Sequence, residues 1–155
     1  MGHVHILVVD DDRECRELLW LALSRQGYHV STAEHGLDGL VKIDRAGRKP
    51  DLLILDVCMP ELDGISLLRA LKSQPETSGI PAIILSGESD TSTVSQGFLA
   101  GAKYFLTKPT PMIDLLAAVR RALRSDVPEI RESRAQSTVT RRIRSQVPRS
   151  TSSLR

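Results

Sequence analysis

Five short apolar runs, each followed by a stretch with helical spacing, constrain the fold of this chain more than any other feature. The runs lie at residues 5–9, 28–33, 52–55, 82–85 and 103–107, and the run at 28–33 is weaker because apolar and polar residues alternate in it. Helices are predicted over about 13–26, around Leu37 and Val41, around Ile65 and Leu71, and over about 90–100 and 110–124. Strands alternating with helices predict a parallel sheet covered on both faces. Right-handed crossovers then make a doubly wound α/β domain.

Charge divides the chain into two parts. Its 155 residues carry a net charge of +2, whereas residues 126–155 alone hold seven Arg and three acids, a net +4. We therefore predict one domain over 1–125 and a flexible, basic, Ser/Arg-rich tail over 126–155. The tail is too short to form a DNA-binding output domain with its own core. The near-neutral balance also argues against a role at nucleic acid or membranes.

Other features bear on location and on the cysteines. The longest apolar run, Leu18–Leu23, is too short to span a bilayer, and no signal peptide is apparent, so a cytoplasmic protein is expected. Cys15 and Cys58 form no CxxC pair and are interpreted as small apolar residues, buried or half-buried, in a reducing compartment. The four His show no ligand spacing and are interpreted as incidental.

Polar residues follow four of the predicted strands. They are Asp10, Asp11 and Asp12 after the first, Asp56 after the third, Ser86 at the end of the fourth and Lys108 after the fifth. Parallel strands bring such residues to one edge of a sheet. Carboxylates that meet there repel one another, and Mg²⁺ relieves that repulsion. One carboxylate can then attack phosphorus, while Lys108 and Ser86 contact the phosphoryl oxygens.

Four segments closely resemble the receiver domain of bacterial two-component response regulators. They are Ile6–Asp11, Leu53–Gly64, Ile84–Gly87 and Gly101–Pro109. The resemblance covers about residues 4–124, and its motifs occur in the family's order. It implies a flavodoxin-like (βα)5 fold with strand order 2-1-3-4-5.

The resemblance also implies roles for the residues at the strand ends. Asp56 is the expected phosphoacceptor, which takes its phosphoryl group from a histidine kinase or a phosphotransfer protein. Asp10, Asp11, Asp56 and the backbone carbonyl of Cys58 are the expected Mg²⁺ ligands, and Lys108 is expected to pair with Asp56 or its phosphoryl group. Such a chain assists its own phosphorylation and dephosphorylation and is not an enzyme acting on a separate substrate.

Ser86 and Phe105 are the expected switch residues, and Ser86 also assists phosphoryl transfer. Their movement is expected to change the surface formed by the fourth helix, the fifth strand and the fifth helix. A downstream protein, or a second phosphorylated copy, is expected to bind there. The fourth helix is rich in Ser and Thr and contains Gly97, so we expect it to be the least rigid helix.

Two other readings stay open at the level of sequence. Asp10-x-Asp12 resembles the nucleophile motif of haloacid-dehalogenase-type phosphatases, although that reading leaves Asp56 unexplained. A degenerate receiver that serves only as a binding module is the second alternative. In the receiver reading, Asp12 lies outside the acidic pair and is expected to cap the first helix. The family's Lys-Pro peptide is cis, which implies a cis bond between Lys108 and Pro109.

Overall fold

The computed structural model describes residues 2–124, in which strands and helices alternate as predicted. In chain order the elements are β1 (His5–Val9), α1 (Arg13–Arg25), β2 (His29–Ala33), α2 (Gly36–Arg45), β3 (Leu52–Leu55), α3 (Gly64–Lys72), β4 (Ala82–Ser86), α4 (Thr91–Leu99), β5 (Tyr104–Thr107) and α5 (Met112–Leu123). The tail predicted over 126–155 lies outside the described residues. No helix within 2–124 has both the length and the apolar character needed to cross a membrane.

The strands form one parallel sheet in the order β2-β1-β3-β4-β5, which confirms the predicted topology. Val9 lies beside Leu55, and Leu55 lies beside Ile84. Ser86, at the end of β4, lies beside Thr107 of β5. The residues that follow these positions therefore reach the same edge of the sheet, next to the point between β1 and β3 where the strand order reverses.

The three central strands, β1, β3 and β4, are buried on both faces of the sheet, which explains why they are continuous apolar runs in the sequence. Alternate residues of each strand point to opposite faces. One core cluster contains Leu7, Val9, Leu53, Leu55 and Ile84 together with residues of α2 and α3. The other contains Ile6, Val8, Leu52, Ile54 and Ile83 together with residues of α1 and α5. The core is almost entirely aliphatic, as an aromatic content of 3% requires.

Side chains cap the N-terminal ends of four helices. The capping residues are Asp12 for α1, His35 for α2, Asp63 for α3 and Asp90 for α4. The predicted role of Asp12 is confirmed, whereas the view of His35 as incidental is wrong, since its Nδ1 accepts a hydrogen bond from the Asp38 amide at 3.1 Å. A cap of this kind contributes about 1 kcal/mol to helix stability.

Gly97 lowers the helix propensity of α4 but has a packing role. A Cβ at this position would lie 2.9 Å from Cδ1 of Ile84 and 3.0 Å from Cδ2 of Phe105. The missing side chain therefore lets α4 approach β4 and β5 closely, which offsets part of the roughly 1 kcal/mol that a helical glycine costs. The expected mobility of α4 stays a prediction.

The turn from β3 into α3 has no room for a side chain at Gly64. A Cβ there would overlap the backbone carbonyl oxygen of Asp56 and lie 2.8 Å from its carbonyl carbon. The amide of Gly64 donates to the carbonyl of Val57 at 3.0 Å. This glycine therefore brings the start of α3 against the backbone of Asp56.

We predict that Gly64→Ala lowers the free energy of unfolding by about 3 kcal/mol or more, because the obstructing atoms belong to backbone and cannot rotate away. Urea unfolding measures the change. The matched control is Gly79→Ala, since a Cβ at Gly79 would meet nothing within 4 Å. That variant should differ from wild type by less than about 1 kcal/mol. Equal effects of the two substitutions would contradict the packing explanation.

Candidate functional site

Three side chains from distant parts of the chain meet at the carboxyl edge of the sheet. Asp10 follows β1, Asp56 follows β3 and Lys108 follows β5. Nζ of Lys108 donates a hydrogen bond to Oδ2 of Asp10 at 2.8 Å and lies 3.4 Å from Oδ1 of Asp56. Both carboxylates are buried. The structure thus brings together the acids and the amine that the strand ends predicted to converge.

Asp11 joins Asp10 and Asp56 in an acidic group. Within the described residues, one carboxylate oxygen from each lies within 4.8 Å of the others. Burial and, after it, the negative charge of Asp10 raise the pKa of Asp56 to about 6, even though Lys108 lowers it in part. Hard carboxylate oxygens that repel one another form the donor set that Mg²⁺ prefers. The residues present therefore fit a magnesium ion.

Lys108 supplies a cation to this acidic group. Burial lowers the pKa of its ammonium, but the hydrogen bond to Asp10 and the charges of Asp10 and Asp56 outweigh burial and raise the pKa above its usual value. The amine is therefore charged throughout the physiological range. The backbone amide of Lys108 donates a hydrogen bond to the carbonyl of Ser86 at 2.8 Å, and this bond joins the loop after β5 to the end of β4. The Lys108-Pro109 peptide is cis, as the resemblance implied.

The two expected switch residues lie on adjacent strands. Ser86 is fully buried, and its Oγ accepts a hydrogen bond from the Glu88 amide at 3.1 Å. That bond uses a lone pair and leaves the hydroxyl hydrogen to be donated elsewhere. Phe105 is half-buried, packs against the first core cluster and lies 6.5 Å from the ring of Phe98, centroid to centroid.

Several hydrogen bonds hold Asp10, and one of them comes from Arg16, a residue that sequence reasoning did not connect with the site. Its Oδ1 accepts from the Asp12 amide at 2.9 Å, and its own amide donates to the carbonyl of Ala33 at 3.2 Å. Its Oδ2 binds Lys108. Its backbone carbonyl accepts from Nη1 of Arg16 at 2.8 Å. A single Arg in a helix carries no sequence signal for such a role, because the bond depends on how α1 leaves β1.

The cysteines depart in part from expectation. Cys15 is half-buried as predicted, but Cys58 is exposed, because it lies in the loop after β3 instead of within an element. A hydrogen bond to Glu88 raises the pKa of the Cys58 thiol to about 11, and burial raises that of Cys15 to about 12. Both thiols are therefore protonated and weakly nucleophilic at neutral pH. The expected role of the Cys58 carbonyl as a metal ligand stays a prediction.

Comparison of the sequence with known proteins identifies its relatives. The model of the response regulator receiver domain matches residues 6–120. Response regulator MprA of Mycobacterium bovis is 43% identical over 126 residues, which are 81% of this chain and 53% of that protein. MprA of Mycobacterium avium is 42% identical over 126 residues, with 81% and 54% covered. The chain thus spans about half the length of the curated relatives it matches.

Solved structures show the same fold. The chemotaxis protein CheY4 of Vibrio cholerae aligns with a TM-score of 0.73 and 30% identity, over 79% of this chain and 100% of that chain. A putative response regulator from Chloroflexus aurantiacus aligns with a TM-score of 0.74 and 35% identity, over 79% and 98%.

The pKa of Asp56 is raised in the folded state, so the ionised carboxylate of this residue destabilises the fold when no metal is bound. The free energy of unfolding of the wild type therefore falls as pH rises from about 4 to about 6, because the folded chain holds the proton on Asp56 to a higher pH than the unfolded chain does. We predict that Asp56→Asn raises the free energy of unfolding by about 1–2 kcal/mol at pH 7.5 in EDTA, less than the full shift implies because the contact with Lys108 is weakened.

Urea unfolding at pH 4 and pH 7.5 measures this gain, which should largely vanish at the lower pH. The control is Asp44→Asn, on an exposed residue of α2. That substitution should change stability by less than about 0.5 kcal/mol at both pH values. A gain at Asp56 that does not depend on pH would contradict the electrostatic explanation.

Proposed function

The chain belongs to the receiver domain family of two-component response regulators, and we propose that Asp56 accepts a phosphoryl group from a histidine kinase or a phosphotransfer protein. The observation that carries the proposal is the contact of Lys108 with both Asp10 and Asp56. In this arrangement the carboxylate of Asp56, the proposed nucleophile, lies beside the ammonium of Lys108 at the carboxyl edge of the sheet. The proposal includes a cytoplasmic location.

The chemistry assigned to the chain's own residues is simple. An oxygen of Asp56 attacks the phosphorus of a phosphohistidine, the P–N bond breaks, the imidazole leaves and an acyl phosphate forms. Lys108 then pairs with one phosphoryl oxygen, and the hydroxyl of Ser86 donates to another. Positioning and charge neutralisation supply most of the acceleration in such transfers. The chain assists this reaction and its reversal by water, and it has no separate substrate to turn over.

The proposed metal ligands are Asp10, Asp11, Asp56 and the carbonyl of Cys58. When bound there, Mg²⁺ would offset the charge of the carboxylates and of the incoming phosphoryl group. The raised pKa of Asp56 supports this part of the proposal, because it reports an excess of negative charge and burial that Lys108 alone does not balance.

The proposed output is a change in the surface of α4, β5 and α5. A phosphoryl group on Asp56 would recruit the hydroxyl of Ser86, and Phe105 would move into the vacated space. The close approach of α4 at Gly97 supports a link between Phe105 and that helix. Leu99 of α4 is 86% exposed and Ile113 of α5 is 73% exposed. These apolar side chains suit contact with a downstream protein or with a second phosphorylated copy.

The two alternative readings have less support. In the phosphatase reading Asp12 would be a general acid, but its Oδ1 accepts from the amides of Glu14 and Cys15. That carboxylate is therefore occupied in capping α1. A degenerate receiver would lack part of the site, whereas Asp56, Asp10 and Lys108 are all present and in contact.

Phosphorylation by acetyl phosphate with Mg²⁺, measured by intact mass, tests the proposed chemistry. We expect one added phosphoryl group on the wild type, none on Asp56→Asn and none in EDTA. Asp44→Asn should be labelled like the wild type, because Asp44 is exposed on α2. A phosphoryl group that survives the Asp56 substitution would sink the assignment, and catalytic hydrolysis of a generic phosphate ester would favour the phosphatase reading.

Beryllofluoride with Mg²⁺, which mimics the phosphoryl group, tests the proposed switch. We expect large amide NMR shifts across residues 86–108 in the wild type. Asp56→Asn, which lacks the carboxylate that would hold the mimic, should show none of them. Shifts confined to residues near Asp10 and Asp56 would mean that the site binds the mimic without changing the α4-β5-α5 surface.

A further inference from the structure

Arg16, at the end of the first turn of α1, has a largely buried side chain, whereas the side chain of Arg13 in the same turn is exposed. The side chain of Arg16 is 13% exposed, whereas that of Arg13 is 81% exposed and pairs with Glu17 across one helical turn. A guanidinium loses hydration when it is buried and needs partners in compensation. Near the start of a helix, a positive charge also opposes the helix dipole. A specific contact must therefore offset both costs.

That contact is made with the backbone of the acidic site. Nη1 of Arg16 donates to the carbonyl of Asp10 at 2.8 Å. The second partner is weak, because Glu34 lies 3.8 Å from Nη2 and its side chain is 72% exposed. The bond to Asp10 is therefore the principal interaction that holds the guanidinium in place.

The hydrogen bond from Arg16 to the Asp10 carbonyl lies where it can orient the next residue, Asp11. The carbonyl of Asp10 and the amide of Asp11 belong to one rigid peptide plane. Holding the carbonyl therefore sets the direction in which the chain continues into Asp11. Asp11 is exposed, so packing does little to orient its carboxylate. The side chain of Asp10, by contrast, is already held by Lys108 and by the Asp12 amide.

We propose that Arg16 is a positioning residue for cation binding, which holds the Asp10–Asp11 peptide so that both carboxylates face the same ion as Asp56. The inference rests on the proposed function, because it requires a magnesium site at these residues. Arg16 itself acts through the backbone of Asp10 and does not touch the ion or the phosphoryl group.

The direction in which Mg²⁺ affinity changes when Arg16 is replaced distinguishes a positioning role from a purely electrostatic one. Arg16 is a cation close to the site, so its charge alone repels Mg²⁺. If charge were its only influence, Arg16→Met would bind Mg²⁺ more tightly than the wild type. If it positions the ligands, the same substitution weakens binding, by about tenfold on the scale seen when the partners of metal ligands are removed.

The test is a Mg²⁺ titration at constant ionic strength, followed by amide NMR shifts near Asp10 and Asp56. Arg16→Met should raise the dissociation constant about tenfold. Arg16→Lys should fall between this variant and the wild type, since an ammonium can donate to the carbonyl with less directional precision. The matched controls, Arg13→Met and Glu34→Gln, should stay within about twofold of the wild type, because each alters only an exposed charge.

A second measurement distinguishes positioning from a general loss of structure. At saturating Mg²⁺, phosphorylation of Arg16→Met by acetyl phosphate should reach the wild-type rate, while the Mg²⁺ concentration for half the maximal rate rises. Urea unfolding in EDTA checks that each variant is folded. If Arg16→Met does not fold, Arg16→Lys decides, with about threefold weaker binding expected.

Unchanged or tighter binding in the folded Arg16 variant would overturn this inference and leave the proposed phosphoacceptor site intact. A wild type that binds no Mg²⁺ would overturn the inference together with the magnesium part of the proposed function. Asp56→Asn in the same titration distinguishes these failures, because it should lose Mg²⁺ affinity whether or not Arg16 has a positioning role.

Discussion

The contact of one ammonium with two buried carboxylates is the interaction on which the candidate site depends. Lys108 lies 98 residues from Asp10 along the chain, yet the two are joined by a 2.8 Å hydrogen bond. Without that cation, Asp10 and Asp56 would face each other in a poorly solvated place, where like charges are costly. The contact requires β1 and β3 to be neighbours, so that Asp10 and Asp56 lie side by side. It also requires the loop after β5 to bring Lys108 over the carboxyl ends of these strands.

The same contact leaves the site incompletely neutralised. The ammonium of Lys108 contacts the carboxylates of Asp10 and Asp56, Asp11 adds a third carboxylate to the group, and the pKa of Asp56 is still raised to about 6. Without a bound cation, the carboxylates proposed to bind Mg²⁺ and the phosphoryl group therefore lower the stability of the fold. Such a conflict between stability and function is common where charged groups are gathered for chemistry.

Two glycines, Gly64 and Gly97, allow the close packing of helices that surrounds the acidic site. Gly64 lets α3 begin against the carbonyl of Asp56, and Gly97 lets α4 lie against Phe105. Both glycines look unfavourable when helix propensity is considered alone. Each is explained by a close approach between elements, Gly64 beside the proposed phosphoacceptor Asp56 and Gly97 beside the proposed switch residue Phe105. The site and the α4-β5-α5 surface are thus parts of one packed unit.

The sequence alone determined the alternation of strands and helices, the parallel sheet and the polar residues at its edge, because these follow from local periodicity and from the ends of apolar runs. Strand order came from the resemblance of whole motifs. Only the tertiary structure decided that Lys108 reaches Asp10, that Arg16 holds the Asp10 carbonyl and that Cys58 is exposed. Those facts depend on distances between residues remote in sequence and on the directions of side chains, which periodicity does not encode.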